Sequence, residues 1–145
     1  MALLKEQDRQ YLIKEFERLK DPVEILMFTQ EMECQYCRET HMIVDEIADL
    51  SDSITVEVHD FIADKELAEQ YGIDKIPAIA ILRGGKEPKD YAIRYYGIPS
   101  GYEFSSLIED VMMVSQGESG LSEATKAQVA TLSKPVHLQV FVTPT

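Results

Sequence analysis

The chain has 145 residues, 45% of them apolar, enough for one sizeable core and too few for two full domains. Its 26 acidic against 14 basic side chains leave a formal charge of -12, a field that repels phosphate backbones and anionic head groups, so neither nucleic acid nor a membrane is an expected partner. The stretch Met1 to Gln10 has no basic start followed by an apolar run, and no apolar stretch approaches membrane length. A soluble, cytoplasmic protein is expected, in a compartment where thiols stay reduced unless they cycle.

Between Lys5 and Lys20, Tyr11, Leu12, Phe16 and Leu19 recur at helical spacing, and Asp21-Pro22 ends the pattern. Val23 to Thr29 (VEILMFT) is short and rich in strand-forming side chains. A second helix is predicted over Cys37 to Leu50, with Val44, Ile47 and Leu50 on its apolar face and the cysteines at its entrance. Ile54 to Asp60 reads as a strand, and Asp64 to Tyr71 as a short helix stopped by Gly72. Ala78 to Arg83 forms a third strand, Gly84-Gly85 opens a hairpin, and Asp90 to Tyr96 returns as a fourth. Ser100 is placed to cap a last helix with Phe104, Leu107, Ile108 and Val111 facing inward. The order βαβ followed by ββα predicts an α/β fold, a mixed sheet with helices on both faces.

The tail repeats the start. Asp21-Pro22-Val23-Glu24-Ile25-Leu26-Met27-Phe28-Thr29 is echoed by Lys134-Pro135-Val136-His137-Leu138-Gln139-Val140-Phe141-Val142, and Ser122 to Leu132 is helix-compatible, as Lys5 to Lys20 is before the first copy. Such matching points to duplication, against chance likeness between two short apolar strands. The chain then divides into a domain over residues 1–120 and the start of a second, truncated unit, helix plus strand, over 121–145. Val136 to Val142 is expected to pack on its own core, add to a sheet edge, or pair with another chain in a homodimer.

Cys34 and Cys37 are the only cysteines, and both lie in the turn from a strand into a helix. A disulfide across so short a loop is a poor structural staple, because chain-entropy stabilisation grows with loop length, so redox work explains the spacing better. Helix N–H groups and the helix dipole favour a Cys34 thiolate, the species that attacks a substrate disulfide; Cys37, within the helix, then resolves the mixed disulfide. Arg38 favours that thiolate and Glu31 and Glu33 oppose it, and the steps run in either direction. Two other readings stand beside this one. The sulfurs are inert and the domain is a docking or dimerisation module, or they bind metal with His41, four residues beyond Cys37.

Cys34 to Cys37 after a strand, Tyr71-Gly72-Ile73, Ile76-Pro77-Ala78 before a strand, and Tyr96-Gly97 before the last helix together resemble the thioredoxin and glutaredoxin superfamily. The extra N-terminal helix, the Gln35-Tyr36 pair, the stretch Arg94 to Gly101 and the ending Phe141-Val142-Thr143-Pro144-Thr145 resemble, more narrowly, the protein disulfide oxidoreductases of heat-loving prokaryotes, built from two tandem thioredoxin-fold units. The resemblance implies a thioredoxin fold with an added N-terminal helix and a central sheet of four strands. It implies dithiol–disulfide exchange with protein substrates, electrons from a thiol reductant or a reductase, and no cofactor or metal. It also implies a cis peptide bond before Pro77, which would let the Ile76 backbone pair with an extended substrate, against an ordinary trans proline at a strand start. Gly97 keeps the backbone beside that groove open or serves only a turn, and Tyr36 flanks the groove or is simply a half-exposed turn aromatic. Phe28 stands six residues before Cys34, where many thioredoxins carry a buried aspartate; Asp60 is the nearest candidate acid, against a plain role in its loop.

Overall fold

A computed structural model describes residues 3–143; Pro144 and Thr145, which end the predicted repeat, lie outside the described residues. The elements run α1 (Glu6–Phe16), β1 (Val23–Thr29), α2 (Cys37–Ala48), β2 (Ile54–Asp60), α3 (Lys65–Gln70), β3 (Ala78–Arg83), β4 (Lys89–Tyr96), α4 (Tyr102–Gln116) and α5 (Glu123–Val129). The strands form one four-stranded sheet in the order β2-β1-β3-β4. β1 and β2 are parallel, while β3 is antiparallel to both β1 and β4.

The central strands β1 and β3 are covered on both faces, which is why VEILMFT and AIAILR read as nearly unbroken apolar runs. Val23, Ile25, Met27, Ile79 and Ile81 pack on one face with Leu12 and Phe16 of α1, Val44 and Ile47 of α2, and Leu107, Val111 and Val114 of α4. Leu26, Phe28, Ala78, Ala80 and Leu82 pack on the other with Ala68 of α3 and Ile73. This is a thioredoxin fold with the additional helix α1, as the resemblance implies, and its mixed sheet with helices on both faces is what the order of elements predicts. In β4, Ala92 takes φ 62 where the register with β3 shifts, and its N–H is held by Asp90 Oδ1 at 2.8 Å.

Three expectations need correction. The first helix ends at Phe16, and Tyr11, placed on its apolar face, is 62% exposed; the buried side is set by Leu12 and Phe16, one turn apart. Ser100 does not cap the last helix: the N-cap is Gly101, with φ 62, and α4 starts without a side-chain cap. In the tail α5 forms, capped by the Ser122 side chain accepting from Thr125 N, but no strand follows among the described residues. Val136, Leu138, Val140, Phe141 and Val142 are all exposed and join neither the core nor an edge of the sheet. A strand needs a neighbour for its backbone groups, and the described chain offers this segment none.

Two polar contacts fasten α4 to the rest. Ser115, fully buried, accepts through Oγ from Lys20 N (2.9 Å) and Asp21 N (3.2 Å) and donates to Asp21 O (2.6 Å), tying the end of α4 to the turn that delivers the chain into β1. Ser115→Ala removes the hydroxyl from all three contacts and leaves Asp21 N with only the Ser115 carbonyl at 3.3 Å, and is expected to cost about 1 kcal/mol of unfolding free energy in urea titration.

Tyr95 of β4 donates its hydroxyl to Asp110 Oδ2 of α4 at 2.6 Å. Burial first, and then the Asp110 carboxylate, push the Tyr95 phenol above its usual range; burial also raises Asp110. A phenol whose folded-state affinity for its proton is raised gives stability that is complete below about pH 10 and is lost above it, as the unfolded chain ionises first. Thermal unfolding should therefore show Tyr95→Phe less stable than the natural chain at neutral pH, with the gap narrowing above about pH 10.

Candidate active site

β1 ends at Thr29, and the chain reaches Cys34 through an exposed loop in which Glu33 takes φ 59. Tyr36 is the N-cap residue of α2 and Cys37 its first residue, so the loop delivers one sulfur before the helix and one inside it. Cys34 and Cys37 are joined by a disulfide, with Cα atoms 5.5 Å apart. Cys37 is only 3% exposed, whereas Cys34 is part-exposed and open to a partner. Neighbouring Tyr36 is 44% exposed and Met32 is 73% exposed, which leaves an apolar rim beside Cys34.

Register brings the other candidates to the same end of the sheet. Phe28, next to last in β1, pairs with Ala78, and Ala78 pairs with Tyr96. Pro77 therefore enters β3, and Gly97 leaves β4, at the end where β1 runs out towards the cysteines. The Ile76–Pro77 bond is cis, as the resemblance implies. Gly97 N donates to Pro77 O at 2.9 Å, continuing the β3–β4 pairing past the proline. Gly97 has φ 85, and a Cβ there would meet nothing within 4 Å; its backbone conformation is what calls for glycine.

Behind this end lies a layer of aromatic and cationic groups. Phe28 is fully buried, its ring 5.5 Å from that of His59 and 6.4 Å from that of Tyr71. Arg94 lies over the Tyr71 ring, donates through Nε to Tyr71 O at 3.0 Å, and pairs with Asp90 at 2.6 Å. The hydrogen bond from Arg94 holds the Asp90 carboxyl below its usual range. Together these contacts brace the α3–β3 connection that carries Ile76 and Pro77. Phe28, Tyr71 and Arg94 stood out in the sequence only as parts of local patterns, and their contacts with one another and with His59 did not, because cross-strand neighbours such as Phe28 and His59 are far apart along the chain.

Asp60 is not a free acid. Its Oδ1 accepts from Ile62 N (2.9 Å) and Ala63 N (2.8 Å), and it forms the turn into α3. His41 Nε2 lies 3.2 Å from Asp45 Oδ2 on its own helix. Among the described residues, no group of three or more His, Cys, Asp or Glu side chains is placed to hold a metal. One polar residue behind the disulfide escaped the sequence reading. Thr40 shares the sheet-facing stripe of α2 with Cys37, Val44 and Ile47, is fully buried, and has no hydrogen-bond partner for Oγ1. A lone hydroxyl in an apolar helical stripe is the signal that could have found it.

Residues 12–95 match the Thioredoxin family model. The chain belongs to the thioredoxin family. A probable thioredoxin of Methanothermobacter thermautotrophicus is 36% identical over 91 residues, covering 62% of this chain and 96% of that protein. The alkyl hydroperoxide reductase protein of the F type from Pseudomonas putida is 31% identical over 97% of this chain, which spans only 23% of that protein's length. Among solved structures, the N-terminal domain of the alkyl hydroperoxide reductase AhpF from Enterococcus faecalis superposes with a TM-score of 0.80 at 27% identity, covering 90% of this chain and 62% of the other. A protein disulfide oxidoreductase from Aeropyrum pernix superposes with a TM-score of 0.76 at 24% identity, covering 88% of this chain and 55% of the other, a likeness of fold. Family membership together with the Cys34–Cys37 disulfide supports a thiol–disulfide oxidoreductase. No helix among the described residues is long and apolar enough to cross a membrane.

Proposed function

We propose that this chain exchanges dithiol and disulfide with protein substrates, with Cys34 as the attacking sulfur and Cys37 as the resolving one. The observation that carries the reading is the unequal access of two bonded sulfurs: Cys34 is open at the mouth of α2, and Cys37 is sealed within its first turn. A partner thiol meets Cys34 first. In the reductive direction the Cys34 thiolate attacks a substrate sulfur and the other substrate sulfur leaves as a thiolate. The Cys37 thiolate then attacks Cys34 Sγ, releasing the second substrate sulfur and restoring the disulfide.

The groove in this proposal is made by Tyr36, Ile76, Pro77 and Gly97. The backbone of Ile76 pairs with an extended substrate segment in the manner of a sheet edge, while Tyr36 shapes access to Cys34. Electrons come from a small thiol or a reductase, and the likeness to part of an alkyl hydroperoxide reductase supports the latter. The setting proposed is the cytoplasm. Residues 121–145 are read as the opening of a second thioredoxin-like unit, on the strength of the echo of α1 and β1 and of the apolar side chains the tail leaves exposed. The test of activity is dithiothreitol-driven reduction of insulin followed by turbidity. Acceleration above the dithiothreitol rate is expected, and its absence would move the domain to the docking-module reading.

A further inference from the structure

Among the described residues two polar side chains are fully buried, Thr40 and Ser115. Ser115 Oγ is occupied by the backbone of Lys20 and Asp21. Thr40 Oγ1 has no partner, a costly condition for a hydroxyl that valine could replace at the same volume. Its position accounts for the hydroxyl. Thr40 follows Cys37 by three residues on the same buried face of α2, so the two side chains are neighbours on the helix surface. Helical side chains lean towards the N-terminus, which sets Thr40 over the turn formed by Tyr36 and Cys37. The Thr40 backbone N–H is already committed to Tyr36 O at 3.0 Å, leaving the hydroxyl as the group free to act there.

Resting on the thiol-exchange reading above, we propose that Thr40 is a positioning residue for Cys37, its hydroxyl donating a hydrogen bond to the Cys37 sulfur only in the reduced protein. In the oxidised chain Cys37 Sγ is bonded to Cys34 and Thr40 Oγ1 is left without a partner. When dithiothreitol reduces the disulfide, the S–S bond takes two electrons and two protons, dithiothreitol closes to its cyclic disulfide, and Cys37 Sγ is released from Cys34. The freed sulfur gives the buried hydroxyl an acceptor. Thr40 thus favours the reduced form and makes the pair a better oxidant. It occupies a setting in which Phe28 supplies no acid and the Asp60 carboxylate is taken up by its own turn.

The test is the equilibrium of the full chain with mixtures of dithiothreitol and its cyclic disulfide, with the reduced fraction read by thiol alkylation and mass. Thr40→Val is expected to shift the equilibrium towards the disulfide by about tenfold, equivalent to about 30 mV for a two-electron couple. Thr40→Ser, which keeps the hydroxyl, should remain close to the natural chain. Thermal unfolding supplies a second readout: Thr40→Val should stabilise the oxidised form relative to the reduced form, whereas a residue that only packs would move both alike. An unshifted equilibrium in Thr40→Val, or equal shifts in Val and Ser variants, overturns the proposal and leaves thiol exchange standing. A natural chain whose cysteines do not exchange with dithiothreitol at all overturns both.

Discussion

Cys34→Ser is expected to bring insulin reduction down to the rate of dithiothreitol alone, while Cys37→Ser should stop turnover at a different point. A serine hydroxyl stays protonated at neutral pH, and the thiolate is the nucleophile that breaks a disulfide. At position 34 the substitution removes the one sulfur a bulky partner can approach, since Cys37 is 3% exposed. At position 37 the first attack is preserved and the second is lost, so a covalent mixed disulfide should accumulate, visible as an added mass that dithiothreitol removes. The order of events follows from burial and from the place of each sulfur relative to the start of α2. Trapping by Cys34→Ser instead of Cys37→Ser would reverse the assignment, and equal trapping by both would show that burial in the oxidised chain does not govern access.

The parts of this site that were legible in the sequence are those written in neighbouring residues. C-x-x-C at a strand-to-helix junction, Ile76-Pro77-Ala78 before an apolar run, and a glycine after β4 are local patterns, and the structure brings all of them to one end of the sheet. β1 and β3 were legible because burial on both faces demands apolar residues at nearly every position. What was not legible depends on partners distant in the chain. Ser115 meets Lys20 and Asp21 some 94 residues away, and nothing in MMVSQ marks a serine as a tether. Tyr11 fits a helical apolar face as well as Leu12 does, and only the position of α1 against α2 and α4 decides which is covered. Gly101 displaced Ser100 as the N-cap residue because cap preference ranks residue types without saying where the chain leaves β4 and turns.

The two copies of the repeated segment allow burial to be separated from composition. Phe28 and Phe141 occupy matched positions in the echo, yet Phe28 is fully buried and Phe141 is 91% exposed. Phe28→Ala is expected to cost about 3 to 5 kcal/mol, because it empties a space walled by His59 and Tyr71 that a rigid sheet cannot collapse to fill. For a domain of this size that corresponds to a fall in melting temperature of about 10 °C or more. Phe141→Ala, which loses no covered surface in the single chain, should stay within about 0.5 kcal/mol of the natural protein. Thermal unfolding of the two variants side by side makes the comparison. A large loss from Phe141→Ala would mean that the tail is covered in solution, by another copy of the chain or by the domain itself. Equal stability of the two variants would contradict the central place of β1. The difference expected between them arises from neighbours: β1 lies between β2 and β3, and residues 136–142 have no strand on either side.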